Sequence, residues 1–314
     1  MKDKGIVIIY NDFSIDFLEI LKKVNIKSIG LHSLYQFGGV KSYLEWLNTK
    51  ETQDLIAKFE NEGFSFTHFL HAVDYLLPRD LYQDHPDWFR ENEKGQRTND
   101  WNLCPSNKQA LSYLENSSFD LAKKLKQKNH YYHLWLDDSI NSFCHCEKCQ
   151  NISPFDQNMI VVKSILKGLK KYDQEAMLSF LAYQDSFGIP KIKPPKDIFL
   201  EFAPINRNHN KSIDSDDENN VNNRKVFDGL AMLFTNNIHI LEYYLDVSYF
   251  CNWKKEDAKQ LTINKDVLQK DLLYYKSKGA TSIYSFAGFV DKSWIDKYGD
   301  EQLQEYSLLV DKFF

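Results

Sequence analysis

Two adjacent carboxylates, Asp137 and Asp138, close the apolar run "HLWLDD", and Cys144, Cys146 and Cys149 follow within "CHCEKC". Side-by-side acids repel, so one tends to keep its proton near neutral pH while the other ionises. A proton donor and an anion in one place suit glycosidic cleavage, which needs an acid for the leaving oxygen and support for a cationic sugar carbon. Neighbours in an extended strand face opposite ways, so the pair meets one ligand only where the chain kinks or the strand ends. The plainer reading is a turn or helix cap, positions that aspartate favours.

The spacing Cys144-x-Cys146-x-x-Cys149 gathers thiolates in a way that suits tetrahedral zinc, which then requires a fourth ligand. Cys104, in "WNLCPSN", is the best donor and His145 the fallback. A filled four-sulfur shell leaves no open position, so such a zinc is structural and pins two loops together beside the aspartates. The alternative is a set of unligated thiols in a reducing compartment. Cys251 reads as an unrelated small buried residue.

Elements that must position these groups are legible as apolar runs. Strand candidates are 5–10, 26–32, 64–72, 131–137, 176–183, 197–204, 239–246 and 280–288, alternating with helical patterns such as "SIDFLEILKKV" and "MIVVKSILKGLKKY". Alternation of this kind points to a parallel sheet with crossovers, and eight strands close a barrel. The expected fold is therefore α/β, a single (β/α)8 barrel over 1–314 with long loops after the third and sixth strands. A doubly wound sheet needs a Gly-rich first turn, which "IIYNDFS" lacks. The loop from Ile205 to about Lys225 is polar and low in complexity, and its middle is expected to be mobile.

Barrel active sites form at the C-terminal strand ends. That rule makes His32, His71, Tyr183, Glu242 and Tyr244 candidates, together with Trp101 from the loop after the third strand. Trp88, Trp101, Tyr244 and Trp253 offer faces for sugar stacking, and Glu242 and Asp246 offer carboxylates to sugar hydroxyls. Core packing and salt bridging are the competing explanations. His71 serves equally well as a hydrogen-bonded barrel residue.

Composition narrows the partners. A net charge of −5 gives no electrostatic footprint for nucleic acid. The apolar opening run is too short for a signal peptide or membrane span, and no later run reaches spanning length. An odd cysteine count with three thiols clustered does not suit a disulfide framework, so a cytoplasmic protein is expected.

The ordered segments "HAVDYLLP", "HPDWFR", "NLCPSN", "LDD" with "CHCEKC", "LAYQ" with "PKIKPPKDIFLEFAP", and "EYYLD" resemble the DUF4838 family. These are bacterial barrel proteins related to glycoside hydrolases, including enzymes that act on N-acetylglucosamine-containing glycans. The similarity runs from about His71 to Gly288. "LWLDDSI" is also similar to the paired-aspartate strand end of family 84 β-N-acetylglucosaminidases, and the mechanism is shared with family 20 hexosaminidases. The resemblance implies a retaining reaction in which the substrate's own acetamido oxygen attacks the sugar. It implies that Asp137 orients the acetamide N–H, Asp138 protonates the leaving oxygen and later activates water, and Tyr183 hydrogen-bonds the acetamide oxygen. The implied partner is an oligosaccharide or glycoconjugate, with structural zinc and no organic cofactor. The Asn/Asp-rich tract departs from the family pattern, so no role is carried over to Asn206, Arg207 or His209. Two alternatives stand beside this reading: a glycan-binding barrel without catalysis, and a metal-dependent hydrolase whose ion is held by His32, His71 and the aspartates.

Overall fold

The computed structural model describes residues 3–235 and 237–314. Eight strands occur in chain order: β1 (Asp3–Ile9), β2 (Ser28–His32), β3 (Ser65–His71), β4 (Tyr131–Trp135), β5 (Met177–Ala182), β6 (Ile198–Phe202), β7 (Ile238–Glu242) and β8 (Ala280–Phe286). They form a closed parallel barrel in the order β1 to β8, the (β/α)8 arrangement expected from the alternation. Every residue of β6 and of β7 is buried, because parallel strands in a barrel are covered on both faces.

Helices are interleaved as α1 (Ile15–Lys23), α2 (Gly39–Leu47), α3 (Lys50–Asn61), α4 (Val73–Leu76), α5 (Lys108–Leu125) and α6 (Pro154–Tyr172). They continue as α7 (Glu218–Leu233), α8 (Val247–Phe250), α9 (Lys265–Ser277), α10 (Lys292–Tyr298) and α11 (Glu301–Phe313). The chain packs as two compact units. One comprises residues up to 32, 49–67 and 201–314, and the other 33–48 and 68–200.

The second unit carries the aspartates and the cysteine cluster. Asn107 starts α5 by accepting from the backbone N–H groups of Gln109 and Ala110 at 2.9 and 3.0 Å, a cap that stabilises the helix by about 1 kcal/mol. Ala110, Leu114, Ser118, Leu121, Ala122 and Leu125 then recur at three- and four-residue intervals and form its buried face. Each leucine withdrawn from water contributes about 1.5–3 kcal/mol. Ser153 caps α6 in the same way, with Pro154 in the first turn where its missing N–H costs nothing. The two helices approach so closely at Gly168 that a Cβ there would stand 2.1 Å from the carbonyl oxygen of Glu115. In the first unit, Gly279 (φ +88°) ends α9 in the left-handed region and turns the chain into β8.

Three expectations are corrected. Strand β4 stops at Trp135, so Asp137 and Asp138 lie past the strand and escape its alternation of faces. Tyr244 and Asp246 lie beyond β7 rather than on it. The Asn/Asp-rich tract after β6 is built into the fold. Asp217 caps α7, and the fully buried Asn220 amide donates to the carbonyls of Asn208, Lys211 and Ser212 at 3.1, 3.1 and 2.9 Å. Composition suggested a solvated loop, but short amides also satisfy buried backbone. The long segment after β3 is likewise ordered, through α4, two short 3-10 turns and antiparallel bridges between Phe89 and Leu103 and between Glu91 and Arg97.

Candidate active site

Asp137 is the hub of the second unit. Its Oδ1 accepts from the Asp74 backbone N–H at 3.1 Å and the Tyr35 hydroxyl at 3.3 Å. Its Oδ2 accepts from the Arg79 guanidinium and from the Asn102 backbone N–H. Asn102 returns the favour by accepting the Asp137 N–H on its own side-chain oxygen at 3.0 Å, and its amide also donates to the Ser142 hydroxyl at 3.0 Å. The Asp137 side chain is wholly buried. A buried carboxylate persists only when paired and hydrogen-bonded, and here four donors meet that requirement.

Charge around this hub is uneven. Burial and then the Asp137 charge push the Asp74 carboxyl above its ordinary value, with Arg79 opposing. Asp74 Oδ1 is buried without a hydrogen-bond partner. Tyr35 exposes its ring (41%) but turns its hydroxyl inward, where burial and the charges of Asp137 and Asp74 hold the phenol well above its usual range. Asp138, by contrast, is exposed.

A small recess of about 20 Å³, room for about one water, lies beside the hub and is lined by residues that include His71, Asn102, Asp137, Phe143, Tyr183 and Asp185. Asp138 is not among its lining residues. The neighbouring acids thus divide, one toward the recess wall and one toward solvent. The ring of His71 sits 6.3 Å from Tyr183 and 6.4 Å from Tyr35, and Trp101 meets Tyr35 edge-on at 6.5 Å. His71 also holds its Nδ1 against the carbonyl of Leu136 at 2.5 Å, the hydrogen-bonded role weighed for it above. Asn102 and Gln184 on the recess, and nearby Asn141, adopt positive φ of +36°, +46° and +53°. Backbone held in that region costs on the order of 1 kcal/mol and collects at functional sites.

Cys104, Cys144, Cys146 and Cys149 are all buried, with their sulfur atoms within 4.8 Å of one another. The Cys104 sulfur stands 3.7 Å from Cys146 and 3.8 Å from Cys149. Four sulfurs about 2.3 Å from a tetrahedral zinc would be separated by about 3.8 Å, so the donor set fits the metal. Hydrogen bonds from Cys144 and Cys149 hold the Cys104 thiol far below its ordinary value, while those from Cys104 and Cys144 push Cys149 up. Arg97 donates to Cys144 at 3.8 Å and to the Phe89 carbonyl at 2.7 Å, bringing positive charge to a thiolate cluster. The cluster joins the segment after β3 to the segment after β4. His145 is exposed and outside the group. Among the described residues this is the group of three or more ligating side chains close enough for an ion. Among the described residues of the second unit, His71 and the aspartates form no such group.

Glu242 and Tyr244, expected to bind substrate, belong to the interior of the first unit. Glu242 is fully buried, paired with Arg207 at 3.1 Å and accepting from the Tyr275 hydroxyl at 2.5 Å. Tyr244 donates to Asp271 at 3.0 Å, and Arg207 pairs with Asp271 at 2.6 Å. Their hydrogen bonds are thus spent inside the unit. Two acids share one guanidinium there, and burial, with Glu242 adding repulsion, pushes Asp271 up to about 7. His32 is buried in the same unit, edge-on to Phe286 at 5.4 Å. Asp246 is fully buried and caps α8, with burial raising its carboxyl to about 6. Cys251 is buried and apart from the sulfur cluster. No helix among the described residues is long and apolar enough to cross a membrane.

Sequence reasoning missed Arg79, Asn102 and Tyr35, the partners of Asp137. The one available signal was position. Asn102 lies two residues before Cys104, and Arg79 follows "YLLP" on the same long segment.

A family model described as "Domain of unknown function (DUF4838)" matches residues 16–299. No curated protein sequence matches. Among solved structures, similarity extends to a cold-adapted β-galactosidase from Rahnella sp. R3, with TM-score 0.59, 12% identity, and coverage of 99% of this chain and 55% of that one. A GH5 xyloglucan-specific endo-β-1,4-glucanase from a metagenomic library gives TM-score 0.55 and 9% identity over 95% and 88% of the two chains. A β-galactosidase from Bacillus circulans sp. alkalophilus gives TM-score 0.57 and 11% identity over 99% and 55%. The chain spans about half the length of these β-galactosidases. At such identities the likeness is one of fold.

Proposed function

The chain belongs to the DUF4838 family, and from that premise we propose that it is a glycoside hydrolase that cleaves β-linked N-acetylhexosaminides with retention, through attack by the substrate's acetamide. The observation that carries this reading is Asp137 in the wall of a recess that Tyr183 and His71 also line; Asp138, off that recess, must reach the sugar from its solvent side. Asp137 is buried beside the recess with Tyr183 and His71, while Asp138 is exposed next to it in the chain.

In this reading Asp138 protonates the departing oxygen and then takes a proton from water. The acetamido group sits at the mouth of the recess, with Tyr183 donating to its oxygen. Both Asp137 oxygens already accept two donors, so an acetamide N–H reaches Asp137 by displacing one of them. Tyr35 makes the longest of the measured bonds and has a part-exposed ring, so its hydroxyl is the donor that yields. Holding the acetamide against the anomeric carbon makes the attack intramolecular, a gain of up to about 7–11 kcal/mol in well-oriented cases. Trp101 and His71, flanking Tyr35, offer ring faces to the sugar. The cysteine cluster holds zinc as a structural ion, fastening the segment that carries Asn102. An odd cysteine count with three thiols clustered does not suit a disulfide framework, so the setting proposed is the cytoplasm.

A second reading, a glycan-binding barrel without hydrolysis, is favoured by one fact: four protein donors already occupy Asp137. The deciding experiment is release of 4-nitrophenol and of natural-linkage products from N-acetyl-β-glucosaminides, by the wild type and by Asp138→Asn. Turnover lost in the variant, with inhibition of the wild type by a thiazoline mimic of the oxazoline, supports the hydrolase. Binding with no turnover in the wild type moves the assignment to the second reading.

A further inference from the structure

A second and larger cavity in the same unit has no part in the reading above. It is a groove of about 510 Å³, within the ~300–1,000 Å³ range of small-molecule sites. It shares Phe143 and Asp185 with the recess and runs past Asn141 and Asn151 to Lys191. Its floor is the segment that bears the cysteine cluster. Gln157, buried, accepts from the Cys144 N–H at 3.1 Å and donates to the carbonyls of Cys144 and Ile152 at 2.9 and 3.1 Å. The Lys191 side is fixed through its neighbour, since the Ile192 N–H donates to Asp156 at 2.8 Å.

The chemistry of this lining selects a ligand class. Carboxamides and a hydroxyl from Asn141, Gln150, Asn151 and Ser153 both donate and accept, as sugar hydroxyls require. Phe143 and Ile152 add apolar surface for the C–H face of a ring. Lys191 stands against three carboxylates, Glu93, Asp156 and Asp185, so the lining is net negative and disfavours an anionic ligand.

We propose that this groove binds the next sugar of an uncharged oligosaccharide whose terminal N-acetylhexosamine sits across the mouth of the recess, with Phe143 and Asp185, common to both, between the two positions. The inference rests on the glycan-acting reading and goes beyond it, because it makes the protein selective for chains over single sugars.

The test compares N,N′,N″-triacetylchitotriose with N-acetylglucosamine on the full chain by calorimetry, with products followed by chromatography in the same samples. The wild type binds the trisaccharide more tightly by about tenfold or more, a single good contact surface being worth that factor. Asn151→Trp, which fills the groove from an exposed position, and Lys191→Ala, which opens its far wall, each reduce that advantage. A trisaccharide bound no better than the monosaccharide overturns the proposal, as does an advantage that survives Asn151→Trp. Groove-dependent binding without cleavage upholds the proposal while removing the hydrolase assignment. Cleavage without a chain-length advantage does the reverse.

Discussion

Asp137 and Asp138 are neighbours in sequence but not in circumstance, and substitution separates them. Asp137→Asn weakens the Arg79 pair and a buried hydrogen-bond set, and a cost of about 3–5 kcal/mol is expected from breaking such a pair. Urea unfolding followed by fluorescence measures it. Asp138→Asn leaves stability within about 0.5 kcal/mol, since the residue is exposed, and lowers kcat by about 10²–10⁴-fold, the usual worth of a general acid. Equal loss of stability in both variants would refute this division of roles. The pair itself was legible, because adjacent acids after an apolar run are a local pattern. Its partners were not, since Arg79, Asn102 and Tyr35 stand 58, 35 and 102 residues away in the chain. Only the closing of the fold brings them in.

Packing of whole elements is tightest where α6 meets α5. A methyl group at Gly168 has no room beside the Glu115 carbonyl, so Gly168→Ala is expected to destabilise by about 1–3 kcal/mol despite its better helix propensity. Thermal melting of the variant checks this, and a neutral or stabilising result would mean that the helices separate freely. A second element-scale expectation concerns α9 and β7, joined through Asp271, Arg207 and Glu242. Asp271 holds its proton up to about pH 7 in the fold but releases it near 3.8 when unfolded. The stability it contributes is therefore full below about pH 4 and is lost as pH climbs through about 7. Asp271→Asn, fixed in the neutral form, should gain on the wild type by on the order of 2 kcal/mol between pH 5 and pH 8. Denaturation curves at the two pH values would show it, and a gap that shrinks with rising pH would contradict it. The strands and long helices were legible because hydrophobic period is a local property. The tract before α7 was misread because its asparagines look solvated by composition, whereas Asn220 is spent on buried carbonyls.

At the scale of the molecule, barrel strands and cysteine-tied segments ought to respond differently to loss of metal. Chelation should raise hydrogen exchange in residues 79–104 and 137–153, which the cluster joins, before it touches β1, β2, β7 and β8. Mass-spectrometric exchange with and without chelator resolves the two groups of peptides. A uniform rise would show that the metal holds the entire fold rather than one region. The closed barrel was foreseeable from eight strands and their crossovers. The route from sulfur to carboxylate was not, because it runs through backbone donors that no residue pattern announces.

That route ties the acid to the sulfur cluster. Asn102, which clasps Asp137 from both sides, sits two residues from the first sulfur ligand. Drawing the four thiols together restrains the stretch of chain that forms this clasp. An ion bound by the four thiols would therefore also steady the clasp on Asp137, the acid that sequence alone nominates for chemistry.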